Sequence, residues 1–191
     1  APRLAGTPVP EVELRVVDAT TGLDVEQGAS GELWFRTPQR MLGYLNRPDA
    51  TAETIVEDGW LRTGDIGFVD EGGFVFISDR LKDMIITGGE NVYSQEVEQA
   101  IATHPAVAEV AVIGVPDDHW GESVKAIVAL APGATTTPEE IIAFTRERLA
   151  AYKCPRTIDL VDALPRNPNG KVLKRELRKP HWDGRDRQVV R

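Results

Sequence analysis

The hydrophobic pattern of the chain changes near residue 80, and this change constrains the fold more than any other feature. Before it, short apolar runs alternate with turn residues at residues 12–17, 31–36 and 73–77, as in antiparallel or barrel-like sheets. Pro48 and Asp49 stand where a helix would begin, so we expect one short surface helix there. The first eighty residues therefore predict a β-rich, barrel-like region.

After residue 80 the pattern predicts strands that alternate with helices. One helix begins at Ser94 and ends at Pro105, and a second begins at the capping box of residues 137–140 and continues to Leu149. Strands are expected at residues 107–115, 123–130 and 156–161. This order predicts a small α+β domain with helices packed on one sheet. We therefore expect a β-rich region at residues 1–80, a boundary at residues 81–83 and an α+β domain at residues 84–191.

Composition and charge exclude several classes of protein. The chain is 41% apolar and 27% charged, as soluble globular proteins are, and no stretch approaches the ~18 apolar residues of a membrane helix. We therefore expect no transmembrane segment and a cytoplasmic location. The net charge of −8 argues against nucleic acid as a partner. Cys154 is the only cysteine and the three histidines lack ligand spacing, so we expect no metal site.

Two polar segments in the first half of the chain have both a functional and a structural interpretation. Residues 59–65 end in Asp65 after a Thr-Gly turn, which can aim a carboxylate at paired hydroxyls such as those of ribose. An aspartate in a turn also commonly caps its own backbone. Residues 78–83 are mostly charged and lie where the pattern changes, so they form either a plain connector or a hinge.

Two glycine-containing loops in the second half are further candidates. Gly88 and Gly89 permit a ligand to approach the backbone closely, although a plain strand-to-helix turn also needs glycine. Residues 164–171 (Leu-Pro-Arg-Asn-Pro-Asn-Gly-Lys) form a stiff loop that presents Lys171 at its tip. Such a lysine is usually only solvated, but a stiffly held ammonium also suits the neutralisation of a phosphate or a carboxylate.

Five motifs follow one another along the chain: Gly-Glu-Leu-Trp at 31–34, Gly-Tyr-Leu-Asn at 43–46, and the segments 59–65, 78–91 and 165–171. Their order resembles that of the adenylate-forming enzymes, which include acyl-CoA synthetases, coumarate ligases, luciferases and the adenylation domains of peptide synthetases. The sequence Asp-Met-Ile-Ile-Thr-Gly-Gly-Glu-Asn of residues 83–91 resembles fatty and related acyl-CoA synthetases more than peptide-synthetase domains.

The resemblance implies roles for particular residues. Asp65 and Arg80 would hold the ribose of ATP, Lys82 would be the hinge, and Lys171 would reach the substrate carboxylate and the α-phosphate. The loop of Gly88, Gly89, Glu90 and Asn91 would line the channel for the pantetheine arm of CoA. ATP and CoA are the implied co-substrates, and the residue that binds Mg²⁺ is expected upstream of this chain.

The resemblance also implies that the chain is a fragment of an acyl-CoA synthetase, which converts a carboxylic acid, ATP and CoA to acyl-CoA, AMP and pyrophosphate. Because the phosphate loop and the acyl pocket of such enzymes precede these motifs, we expect the fragment alone to be inactive. A ligase that loads a carrier protein and a non-catalytic module of this fold remain alternatives. The sequence predicts no oligomeric state.

Overall fold

The computed structural model describes residues 2–185, which divide into two compact units. The chain passes from the first unit to the second between Lys82 and Asp83. We call residues 2–82 the N-terminal unit and residues 83–185 the C-terminal unit. Both units combine sheet and helix, so the predicted α+β class is confirmed.

The N-terminal unit is an open five-stranded antiparallel sheet rather than a closed barrel, with β1 and β2 as its edges and the order β1-β5-β4-β3-β2. Val17, Leu33 and Ile66 form part of its buried interior. The predicted surface helix is present and begins at Pro48. The elements are β1 (Arg3–Gly6), β2 (Glu13–Val17), β3 (Gly31–Arg36), α1 (Pro48–Thr54), β4 (Leu61–Val69) and β5 (Val75–Arg80).

The C-terminal unit is built around the long hairpin of β8 and β9, which is antiparallel from one end to the other. On its other side β9 pairs with β10 in parallel and, near its start, with β6 in antiparallel orientation. The elements are β6 (Ile85–Thr87), β7 (Glu90–Val92), α2 (Ser94–Ala102), β8 (Val107–Asp117), β9 (Gly121–Leu130), α3 (Pro138–Arg146), β10 (Thr157–Val161) and α4 (Lys174–Arg178).

Two small cores cover the two faces of this sheet. Helices α2 and α3 bury Val97, Ile101 and Ile141 against one face, as their 3.6-residue periodicity requires. The other face is covered by Leu164, Val172 and Leu177, which belong to the segment around Lys171. Helices therefore lie on both faces of the sheet, and the candidate lysine loop is anchored in a core at each of its ends.

Candidate functional site

Asp65 and Arg80 stand directly opposite each other on the neighbouring strands β4 and β5. The Asp65 Oδ1 atom lies 2.6 Å from the Arg80 Nε atom. The Asp65 side chain is 26% exposed and the Arg80 side chain 55% exposed, so a ligand can reach both. The contact through Nε leaves the terminal guanidinium nitrogens of Arg80 available as donors.

The backbone at Asp65 corrects the prediction of a Thr-Gly turn. Thr63 and Gly64 lie inside β4, and the chain does not reverse there. Gly64 takes a φ of +68°, and the register between β3 and β4 shifts at this point, so the glycine produces a bulge instead of a turn. The Thr63 hydroxyl accepts a hydrogen bond from the Asp65 N–H at 2.9 Å and donates to the Leu33 carbonyl at 2.7 Å.

Glu32 is a functional candidate that sequence reasoning did not identify. Its side chain is 1% exposed, and it accepts hydrogen bonds from the Gly64 N–H at 3.1 Å, from Trp34 Nε1 at 2.9 Å and from Arg62 Nε at 3.1 Å. A buried carboxylate needs such partners, and here one of them is the residue that precedes Asp65. The sequence signal that could have identified Glu32 is its position as an ionisable residue inside the apolar run of β3.

The polar segment of residues 78–83 is only partly a connector. Its first three residues complete β5, and only Leu81–Asp83 forms the turn between the units. Leu81 is buried and Lys82 is exposed. Asp83 forms an ion pair with Arg178 of α4 at 2.8 Å, with both side chains less than 15% exposed. The second unit is thus held firmly from its first residue onward.

Gly88 and Gly89 are the two central residues of a tight hairpin between β6 and β7, with φ values of +60° and +85°. Positive φ at both positions is the type I′ turn, which favours glycine. The alternative of a plain strand-to-helix turn is therefore excluded, because β7 intervenes before α2. The Gly88 N–H donates to the Trp120 carbonyl at 2.9 Å, which fixes the hairpin to the turn between β8 and β9.

A cavity of about 380 Å³ opens beside this hairpin within the C-terminal unit. It is lined by Gly88, Trp120, Tyr152 and Arg156, and the Arg156 guanidinium lies 5.2 Å from the centre of the Trp120 ring. Cys154 also lines it, and burial raises the pKa of this thiol. Sequence reasoning missed the cavity because its walls come from distant parts of the chain.

Lys171 is exposed and directly follows a tight turn whose tip is residues 168–170. The Asn167 Oδ1 atom accepts hydrogen bonds from the N–H groups of Asn169 at 3.0 Å and Lys171 at 2.9 Å. The Asn167 N–H donates to the Lys171 carbonyl at 2.9 Å. The Asn167 side chain thus closes the turn, and Lys171 lies just after the tip of the loop rather than at it, which corrects the predicted position.

Within the C-terminal unit, the glycine hairpin and the lysine loop lie at opposite ends of β8. The hairpin contacts the turn that follows Asp117, whereas the lysine loop is bound to Glu109 through Arg166. Glu109 and Asp117 are eight residues apart on β8, which corresponds to about 26 Å at the rise of a β-strand. The structure therefore brings Asp65 and Arg80 together but keeps Lys171 away from Gly88 and Gly89.

Comparison with known proteins identifies the family that the chain matches. Residues 96–171 match the family described as the AMP-binding enzyme C-terminal domain, and residues 1–45 match the family described as AMP-binding enzyme. A fatty acid–acyl-carrier-protein ligase of Streptomyces coeruleorubidus is 48% identical over 185 residues, which cover 97% of this chain and 35% of that ligase. A long-chain-fatty-acid–CoA ligase of Yersinia pestis is 50% identical over 91% of this chain and 30% of that ligase.

The chain belongs to the adenylate-forming enzymes. It spans about a third of the length of these curated relatives. Among solved structures, ATP-bound MatB from Rhodopseudomonas palustris is similar with a TM-score of 0.88 and 39% identity, over 97% of this chain and 37% of that chain. The resemblance based on the motifs and the fold class expected from the hydrophobic pattern are thereby confirmed.

Between residues 2 and 185, no group of three or more histidine, cysteine, aspartate or glutamate side chains is arranged to hold a metal ion. No helix in the same residues is both long and apolar enough to cross a membrane.

Proposed function

We propose that this chain is the carboxyl-terminal part of an ATP-dependent acyl-CoA synthetase. In the first half-reaction a carboxylate attacks the α-phosphate of ATP, which gives an acyl-adenylate and pyrophosphate. In the second, the thiolate of CoA attacks the acyl carbon and AMP leaves with the electron pair of the broken bond. The single observation that carries the proposal is the Asp65–Arg80 pair, with its 2.6 Å contact and its exposure, in a member of this family.

Asp65 and Arg80 have the chemistry to hold the ribose of ATP. The two hydroxyls of ribose are neighbouring donors, which a carboxylate accepts well, and their oxygens can accept from the guanidinium. Glu32 fixes the Gly64 N–H and so supports the backbone that carries Asp65. The residue that binds Mg²⁺ is proposed to lie outside this chain, where the metal would offset the charge of the phosphates.

Lys171 supplies the positive charge for adenylation in this proposal. The carboxylate and the α-phosphate repel each other, and a fixed ammonium lowers the energy of the transition state that joins them. The glycine hairpin belongs to the second step, because a backbone without side chains leaves room for the narrow pantetheine arm. Since these loops lie at opposite ends of β8, we propose that the unit reorients about Lys82 between the two steps.

The cavity beside Gly88 favours CoA as the acceptor. Its aromatic and cationic walls, Trp120, Tyr152, Arg146 and Arg156, suit an adenine ring and phosphate groups. A carrier protein presents the same pantetheine arm without the nucleotide. It remains the second candidate acceptor, because the Streptomyces relative is named for that acceptor.

The test uses two variants in the full-length enzyme that contains this chain. Lys171→Ala should lower the rate of pyrophosphate release by at least ~100-fold, or about 3 kcal/mol, since a preorganised charge is lost. Thioester formation from pre-made acyl-adenylate and CoA should remain within a factor of about two. Gly89→Leu should show the opposite pattern, because its side chain would obstruct the pantetheine path. Arg148→Ala, which removes an exposed ion pair in the turn after α3, is the matched control.

The acceptor is settled by supplying CoA or a carrier protein to the same enzyme. If CoA is the acceptor, Arg156→Ala should raise the KM for CoA and leave adenylation unchanged. Loss of both half-reactions to the same extent in Lys171→Ala and Gly89→Leu would contradict the assignment of the two loops. We also propose that these 191 residues by themselves form no acyl-adenylate, so pyrophosphate release by the isolated chain above background would argue against that part.

A further inference from the structure

One side chain connects the tip of the loop that carries Lys171 to the central sheet. The Arg166 Nη2 atom lies 2.6 Å from the Glu109 Oε1 atom on β8, and Arg166 Nη1 donates to the Gly170 carbonyl at 2.5 Å. Gly170 immediately precedes Lys171. One guanidinium therefore joins a rigid strand to the peptide group next to the candidate lysine.

This connection adds to two weaker constraints on the loop. Arg166 and Val172 form an isolated β-bridge at the base of the loop, and Asn167 closes the turn from inside. Both constraints keep the shape of the loop, but neither fixes its tip against the sheet. Gly170 has a φ of +79°, and an added Cβ atom there would meet nothing within 4 Å, so no side chain packs against the tip at this residue. The Arg166–Glu109 contact supplies the missing constraint.

The contact is too exposed to matter much for folding. The Arg166 side chain is 41% exposed and the Glu109 side chain 39% exposed. Exposed ion pairs contribute about 0–1 kcal/mol to stability. The folding of the unit rests instead on the buried apolar cores, including Leu164 at one end of the loop and Val172 at the other. A contribution to stability therefore does not explain why the Arg166 side chain contacts both Glu109 and Gly170.

We propose that Arg166 and Glu109 are positioning residues that aim the ammonium of Lys171 during adenylation. Neither side chain need touch the substrate, because both act through the Gly170 peptide group. This inference rests on the role proposed for Lys171. A displacement of the reacting groups by about 1 Å can cost up to ~100-fold in rate, so the loss of a single tether is measurable.

The experiment measures both half-reactions in the full-length enzyme. Arg166→Ala should lower the rate of pyrophosphate release by about 10-fold to 100-fold, whereas thioester formation from pre-made acyl-adenylate should stay unchanged. Glu109→Gln keeps an oxygen acceptor, so its rate of pyrophosphate release should fall less than that of Arg166→Ala. Arg166→Lys should also show a smaller fall, because its single ammonium can reach either Glu109 or Gly170 but not both. Arg148→Ala is the control, because the Arg148 side chain is 40% exposed and also ion-paired, yet lies in the turn that follows α3.

A second measurement separates positioning from a general structural effect. In the Lys171→Ala background, Arg166→Ala should cause no further loss of adenylation, because its effect passes through Lys171. Equal losses in both half-reactions, or full additivity with Lys171→Ala, would overturn the inference. Circular dichroism of Glu109→Gln verifies that the fold is retained, so the inference stays testable even if Arg166→Ala unfolds.

The outcomes also distinguish this inference from the proposed function. If Lys171→Ala leaves adenylation intact, the proposed role of the lysine fails and the inference fails with it. If Lys171→Ala abolishes adenylation while Arg166→Ala and Glu109→Gln both match the Arg148→Ala control, only the inference fails.

Discussion

The two glycines of the β6–β7 hairpin provide a sharp test of the structure, because they share a backbone conformation but not an environment. Both take a positive φ, +60° at Gly88 and +85° at Gly89. A Cβ atom added at Gly88 would lie 2.6 Å from Cε3 of Trp120, whereas one added at Gly89 would meet nothing within 4 Å. Replacing each glycine by alanine therefore separates the cost of the conformation from the cost of the contact.

The expected magnitudes follow from these two terms. A left-handed conformation costs an alanine roughly 1–2 kcal/mol, and the loss of a flexible glycine from the unfolded chain returns about 0.4–1 kcal/mol. Gly89→Ala should therefore lower the free energy of unfolding by about 1 kcal/mol. In Gly88→Ala the Trp120 ring must also shift by roughly 1 Å, which disturbs its contacts with His119 and Arg156 and adds about 1–3 kcal/mol.

Hydrogen exchange of the backbone amides of β6 to β9, measured against urea, gives the unfolding free energy of this unit separately from the other. Gly88→Ala should be less stable than Gly89→Ala by about 1–3 kcal/mol. In a Trp120→Leu background the difference should nearly vanish, because the ring that causes the collision is gone. Equal effects of the two alanines, or a difference that persists without Trp120, would refute the reasoning.

Three further predictions concern the capping box of α3 and the turn between the units. The Thr137 hydroxyl accepts from the Glu140 N–H, so Thr137→Ala should lower the unfolding free energy by about 1 kcal/mol in urea titrations. Hydrogen bonds from the Thr137 N–H and then from the Thr136 hydroxyl lower the pKa of Glu140. The Glu140 carboxylate therefore stabilises the fold fully at any pH above 4.5, which is the ordinary pKa of a glutamate. The unfolding free energy of Glu140→Gln should be lower than that of the unmodified protein at neutral pH, and this difference should disappear as the pH falls through the lowered pKa. A difference that does not change with pH would contradict stabilisation by the carboxylate. Lys82→Pro should retain the fold, because the φ of proline suits a 3₁₀ turn, but it should impair the change between half-reactions in single-turnover assays.

Elements with strong local signals were predictable from the sequence. The capping box at Thr137 and Glu140 forms with both of its reciprocal hydrogen bonds, and α3 begins where the box places it. The helix expected from Ser94 begins at that residue. Strand β8 begins at Val107 as expected, but it continues to Asp117 because pairing with β9 extends it beyond the apolar run.

Elements that depend on distant partners were not predictable. Strands β6 and β7 have three residues each, which is too short for a periodic signal, and their hairpin is held by the Trp120 carbonyl thirty-two residues away. The strand around Gly64 was read as a turn because its bulge requires the same residue type as a turn does. In both cases the missing information is a contact far along the chain.

The candidate site shows the same division between residue type and geometry. Motif order indicated Asp65, Arg80 and Lys171, but the 2.6 Å contact of the first two depends on the register of β4 and β5. Glu32 was missed because a carboxylate within an apolar strand shows its partners only when the strands are paired. The roles of these residues remain predictions that the half-reaction assays test.

The structure of the C-terminal unit bears on how two loops could serve one site. Strand β9 is buried from Glu122 to Ala129, and β8 pairs with it along its length, so this hairpin is a stiff support. The glycine hairpin is fixed to one end by Trp120, and the lysine loop is fixed to the other by Glu109. Because the ends are about 26 Å apart, small bending movements within the unit cannot bring the two loops together. The reorientation proposed above would therefore carry β8, β9 and both loops together.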